Sequence, residues 1–268
     1  MRFKTVFIGN STSVYSVAFL KELNRLGFDV RLAASSRKNI FNRRKGILSK
    51  IWAVVSNFTA GEIATAICSK LAAASRIKES SWAVKWREKY FLDTVAARLG
   101  CACCCCNSIN DAELLEKIRI IGPDLILLHS FSEILEKELI DIPKIGCYNF
   151  HPGKLPENRG PNPIEWTVLT KQKSIVTDCH QLTTKIDDGD VFVREELSLS
   201  GARSWSDVTR QARASTIKCL NSFHDALLCG KLRPLPKDKI LKRYNPRPGV
   251  FLKYKAHILA RFIYRRTE

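Results

Sequence analysis

The first apolar run, Phe3-Lys-Thr-Val-Phe-Ile-Gly9, constrains this chain more than any other feature, because a small-residue loop and a helical pattern come directly after it. The run suits a central strand of a parallel sheet, buried on both faces. The loop is Gly9-Asn10-Ser11-Thr12-Ser13. Helical spacing then appears at Val14, Val17, Ala18, Leu20 and Leu23, closed by Gly27, and residues 28–34 read as a second strand. Strand, loop, helix and strand make a βαβ unit, so the predicted fold is α/β with a doubly wound, mostly parallel sheet. The loop has two readings. One is a tight turn. The other is a nest of N–H groups at a helix N-terminus, with Asn10 and Ser11 touching a substrate phosphate.

Further strands are expected at 99–106, 123–129, 146–151, 173–181 and 191–197, and helices at 111–121 and 204–228. The 268 residues suit one main α/β domain plus an appendage. Residues 1–200 are assigned to the domain and 201–268 to a C-terminal helix and basic tail. A helical basic insert occupies about 37–95, with Arg37, Lys38, Arg43, Arg44, Lys45 and Lys50 ahead of Trp52, Phe58, Trp82, Trp86, Tyr90 and Phe91. It reads as a core-facing stripe with a solvated face, or as a surface for a membrane or a phosphorylated acceptor.

Charge narrows the partners. Lys and Arg number 44 against 26 Asp and Glu, a formal +18, which favours nucleic acid, a phosphorylated small molecule or an acidic membrane surface. No run approaches the roughly 20 apolar residues of a membrane span. Residues 1–10 lack the pattern of a signal peptide, so a cytoplasmic location is predicted, with peripheral membrane contact through basic segments as an extension of it. The stretch Lys253-Tyr-Lys-Ala-His-Ile-Leu-Ala-Arg-Phe-Ile-Tyr-Arg-Arg266 reads as a packed terminal helix or as such a membrane contact. Five of the ten Cys fall within 101–106 and read as reduced thiols in a buried strand. Zinc would need separated ligand pairs, whereas the histidines at 129, 151, 180, 224 and 257 are scattered. No metal is expected.

The chemistry-bearing stretch is Asn149-Phe-His-Pro-Gly-Lys-Leu-Pro-Glu-Asn-Arg-Gly-Pro-Asn-Pro163, with Ile186-Asp-Asp-Gly-Asp-Val191 further along. Residues two apart in a strand share a face, so Asn149 and His151 present an amide and an imidazole at the strand's C-terminal end, where open α/β sheets bind ligands. An amide, an imidazole and a carboxylate without a Ser or Cys nucleophile suit direct attack of an amine on an activated acyl group. Asn149 and protonated His151 supply donors for the developing oxyanion, and a nearby carboxylate supports the imidazole.

These residues resemble the folate-dependent formyltransferases, which include glycinamide ribonucleotide transformylase, methionyl-tRNA formyltransferase and the sugar N-formyltransferases. The resemblance rests on Asn149-Phe-His151-Pro-Gly-Lys-Leu155-Pro156, Arg159-Gly160 and Asp187-Asp-Gly189-Asp. Pro123-Asp-Leu-Ile-Leu-Leu, Phe131-Ser-Glu-Ile-Leu135 and His180 add to it. It implies catalysis by Asn149, His151 and Asp187, with 10-formyltetrahydrofolate as co-substrate held around Phe131, Glu133, Leu135, Leu155 and Asp188. It further implies acceptor contacts at Arg159, Asn162 and His180, the last being equally readable as a buried histidine. Gly153 stands where the family has Ser, Glu133 where some members have Arg, and Val176 where Gly is common.

The run Arg159-Gly-Pro-Asn-Pro-Ile-Glu-Trp166 is most similar to sugar N-formyltransferases, which implies a nucleotide-linked amino sugar as the phosphorylated amine acceptor. Formylation of methionyl-tRNA or glycinamide ribonucleotide is the alternative. A non-catalytic basic binding protein on the same fold, or a deformylating hydrolase, are further readings. A homodimer is compatible with the sequence.

Overall fold

A computed structural model describes residues 2–36, 87–89, 91–236 and 244–264. The basic and aromatic stretch 37–86, with Tyr90, lies outside the described residues, and so do 265–268. Seven strands form one sheet: β1 (Lys4–Gly9), β2 (Asp29–Ser36), β3 (Ala102–Cys106), β4 (Leu125–His129), β5 (Gly146–His151), β6 (Ser174–Gln181) and β7 (Val191–Ser198). Their order is β3-β2-β1-β4-β5-β6-β7. The first five run parallel, while β6 and β7 are antiparallel to their neighbours.

Period-two alternation decides the two cores. Phe7, Leu125, Leu127, Tyr148 and Phe150 point to one face, where they meet Phe19, Leu20 and Leu23 of α1 (Val14–Arg25) and Phe223 of α6 (Trp205–Leu228). Val95 and Ala96 of α2 (Leu92–Arg98) join them. Val6, Ile8, Ile126, Leu128 and Cys147 point the other way, onto Leu114, Leu115 and Ile118 of α3 (Ala112–Ile121) and Leu139 of α4 (Lys137–Ile140). Helix α6 lies along β6 and β7, so residues 205–228 are built into the sheet's core rather than appended to it. A third cluster joins α6 to α5 (Pro163–Leu169) and α7 (Val250–Leu259) through Val168, Val208, Ala212, Ala256 and Ala260.

The Cys run departs from expectation. β3 pairs with β2 alone and forms an edge of the described sheet, leaving Cys103 and Cys105 exposed and Cys104 and Cys106 half-buried. An edge strand lacks the second neighbour that would bury it, and only Cys101, ahead of the strand, enters the core. The strand also begins at Ala102 instead of 99, because Leu99 and Gly100 cap α2.

Candidate active site

Strand β5 sits between β4 and β6, and its C-terminal end carries Asn149 and His151 on the face shared with Cys147. The antiparallel register sets His180 opposite Asn149 and Asp178 opposite His151. The chain then leaves β6 and folds back through 182–190, which brings Asp187 over the pair.

Asp187 Oδ2 stands 3.8 Å from His151 Nδ1, and its Oδ1 stands 3.6 Å from His180 Nε2. The Gly160 N–H donates to Asp187 Oδ2 at 2.8 Å. Asp187 adopts the left-handed backbone region (φ 46°), which Asp tolerates better than most residues. His151 Nε2 lies 2.7 Å from the Asn158 carbonyl, which can only accept, so Nε2 carries hydrogen and Nδ1 faces the site. Asn149, His151 and Asp187 are thus brought together.

His180 is fully buried and touches Asn149, not open space. Its Nδ1–H donates to the Gln181 carbonyl (3.2 Å), so its Nε2 accepts from Asn149 Nδ2 (3.2 Å) and fixes the amide. Burial pushes its pKa down to about 4 against the opposing pull of Asp187, which keeps the ring neutral and able to accept.

Other candidates make hydrogen bonds within the loops around the pair. The Arg159 guanidinium donates to the Ile186 carbonyl (3.1 and 2.5 Å) and lies 3.3 Å from Asp188. Both residues therefore shape the loop that carries Asp187. Asn162 sits at the N-cap of α5 and donates to Glu165 (2.9 Å). The Glu133 carboxylate accepts from Ser108 Oγ and from the Ile109 N–H (3.1 Å), which ties loop 130–136 to the start of α3. Leu135 and Leu155 are buried and Phe131 is half-buried, packed against the core beneath β4.

The loop after β1 forms a turn held by its own hydrogen bonds. The Asn10 N–H donates to Ser16 Oγ (2.9 Å), the Thr12 N–H to Asn10 Oδ1 (3.0 Å), and the Ser11 carbonyl accepts from Leu92 (3.0 Å). The N–H groups of Asn10 and Thr12 are thus engaged within the turn.

Several supporting residues escaped the sequence reading. Buried Asp178 receives both Arg194 Nε (2.7 Å) and Nη2 (2.8 Å), while Nη2 also donates to the Leu155 carbonyl and the Leu155 N–H to Asp178. This cluster fastens the loop after His151 to β6 and β7. Asn245, from the C-terminal segment, donates through its backbone to Arg159 (2.9 Å). A carboxylate in the middle of strand β6 was the available signal for Asp178; nothing local marks Asn245.

Two glycines are required by close approach. A Cβ at Gly189 would stand 1.7 Å from the Gln181 carbonyl oxygen, and one at Gly153 would stand 2.7 Å from Pro163 Cβ and 3.0 Å from His151 Nε2. The second accounts for Gly where the resembling family has Ser: the space beside His151 is already filled. For the first, Gly189→Ala is expected to destabilise the fold by about 2 kcal/mol or more, since backbone must move. Unchanged urea midpoints would refute this.

Buried histidines also set a pH dependence. His129 stacks on Phe19 (centroids 5.2 Å apart) and its Nδ1–H donates to the Phe150 carbonyl (2.8 Å). Burial pushes its pKa down to about 4. Below about pH 6.5 the unfolded chain takes up a proton here that the native state refuses until about 4, and His180 behaves alike. Their contribution is therefore complete above pH 6.5 and is lost as pH falls toward 4, by up to about 1.4 kcal/mol per pH unit for each. Urea midpoints should fall across this window, and less steeply in His129→Asn.

The sequence matches the family described as Formyl transferase over residues 60–222, more than half of the chain. The methionyl-tRNA formyltransferase of Clostridium botulinum (strain Alaska E43 / Type E3) is 30% identical over 129 residues, which cover 48% of this chain and 42% of that protein. The chain thus spans less than half the length of such curated relatives. Among solved structures, a sugar N-formyltransferase from Shewanella sp. FDAARGOS_354 superimposes with a TM-score of 0.56 at 14% identity, covering 96% of this chain and 87% of that one. The N-formyltransferase of Helicobacter canadensis, in complex with folinic acid and dTDP-3-aminofucose, gives 0.56 at 11%, covering 92% and 71%. At such identities the structural likeness is one of fold. The sequence match and that fold agree: this chain belongs to the formyl transferase family.

Proposed function

We propose that this chain transfers a formyl group from 10-formyltetrahydrofolate to a primary amine, with a nucleotide-linked amino sugar as acceptor. The observation that carries the reading is the meeting of Asn149, His151 and Asp187 at the open end of β5, with Asp187 3.8 Å from His151 and Asn149 held by His180. When bound, the folate supplies an activated formyl carbonyl. Asn149 offers its remaining N–H to the formyl oxygen, and the site-facing Nδ1 of protonated His151 offers a second donor. Such donors act where charge develops and need no reorganisation during reaction. Asp187 stabilises the imidazolium and takes the proton that the attacking amine loses, directly or through water. That proton then goes to the folate nitrogen released as its bond to the formyl carbon breaks. The folate would lie along backbone of 131–135 and the loop 182–188, which flank the pair.

The acceptor is read from sequence and charge. The Arg-Gly-x-x-Pro-x-x-Trp run from Arg159 to Trp166 and the chain's formal +18 favour a diphosphate-bearing amino sugar. The methionyl-tRNA relatives favour formylation of charged tRNA, yet the shared part covers under half of their length. Incubation with 10-formyltetrahydrofolate and a panel of aminosugar nucleotides, glycinamide ribonucleotide and charged initiator tRNA decides between them. Mass spectrometry reads the acceptor and absorbance the folate product. Release of formate with no acceptor modified would make the protein a hydrolase and sink the proposal.

A further inference from the structure

Helix α7 and the turn that continues it carry an apolar stripe on their outer side. Ala256, Ala260 and Tyr264 are buried against α5 and α6, and His257 stacks on Trp205 with ring centroids 4.2 Å apart, so the helix is firmly seated. On its other side Phe251, Tyr254, Ile258 and Phe262 are 80%, 52%, 56% and 62% exposed. Spacings of three, four and four residues line them up on one helical face. Lys255 and Arg261, both exposed, lie roughly 60° to either side of that line at the helical turn angle. Residues 244–264 include Arg247, Lys253, Lys255 and Arg261 and no Asp or Glu.

We infer that this face docks on an anionic lipid surface. Four large apolar side chains in one exposed row are costly in water and mark an interaction site. Charge selects the occupant. A second copy of the chain would bring the same cations together on molecules that each carry a formal +18, which opposes association. A bilayer with acidic headgroups meets both parts of the face. The row enters the boundary between headgroups and acyl chains, and Lys255 and Arg261 stay at headgroup level. No described helix is long and apolar enough to cross a membrane, so α7 would lie in the plane of the interface.

The full chain should co-sediment with phosphatidylcholine vesicles containing phosphatidylglycerol and far less with phosphatidylcholine alone. Phe251→Ser combined with Ile258→Ser should lower the partition about tenfold or more, whereas Phe251→Trp with Ile258→Leu should preserve it. Lys255→Glu with Arg261→Glu should also release the protein. Sedimentation of the serine variant at the wild-type level would overturn the inference. So would a serine variant that melts several degrees lower, because the row would then be covered by the chain itself. A wild-type dimer that the serine variant splits into monomers would assign the face to a second copy instead.

Discussion

His151→Ala is expected to lower turnover by about 10³-fold or more while folate affinity stays nearly unchanged. The imidazole is nearly buried, its Nε2–H is spent on the Asn158 carbonyl, and Nδ1 alone faces the site toward Asp187. On the proposed mechanism, removing it takes away a charged donor at the developing oxyanion and the group through which Asp187 acts, and a single such donor is commonly worth about 10²–10³ in rate. Asn149→Ala should cost about 10²–10³ on the same ground. Because Asp187 also accepts the Gly160 N–H, Asp187→Asn is the cleaner substitution there: it retains an acceptor for that N–H and removes only the charge. Single-turnover rates beside equilibrium folate binding separate chemistry from binding. Full activity in His151→Ala would remove the mechanism.

The second large effect is on stability. Arg194→Leu should destabilise the protein by about 3–5 kcal/mol, because it strands a buried carboxylate. Burial pushes the Asp178 carboxyl upward, and the two Arg194 hydrogen bonds and the Leu155 N–H pull it back. Without the guanidinium, Asp178 has one N–H partner left and either takes up a proton or leaves its place. Leu155 also loses its carbonyl donor, so the loop after His151 should loosen along with the fold. Asp178→Asn with Arg194→Leu should recover part of the loss, since the buried charge is then gone. Urea midpoints measure both. An Arg194→Leu protein as stable as the wild type would show that the cluster contributes little.

How the site is held was less legible than the site itself. Asn149 and His151 could be paired from their spacing because a strand's period is two, and β5 begins and ends where expected. Asp187 came from its distance along the chain in a resembling family, not from any periodicity. Arg159, Asn162, Glu133 and Asp188 were expected to face ligands on the strength of the family resemblance. In the fold their side chains meet Ile186, Glu165, Ser108 and Arg159. Loop backbone near a cleft must satisfy its own polar groups before any ligand arrives, and sequence does not show which partners do so.

By itself, the sequence determined the layered α/β architecture, most strand positions, and the pair of donors at the end of one strand. Each of these depends on local periodicity, in which a residue's face is set by its neighbours. Only the tertiary structure decided that His180 holds Asn149, that Arg194 meets Asp178, that the cysteine strand lies at an edge, and that α7 leaves an apolar row outside. Those outcomes depend on which strands become neighbours and on what remains to cover each face. Residues far apart in the chain settle that together, so no local pattern contains it.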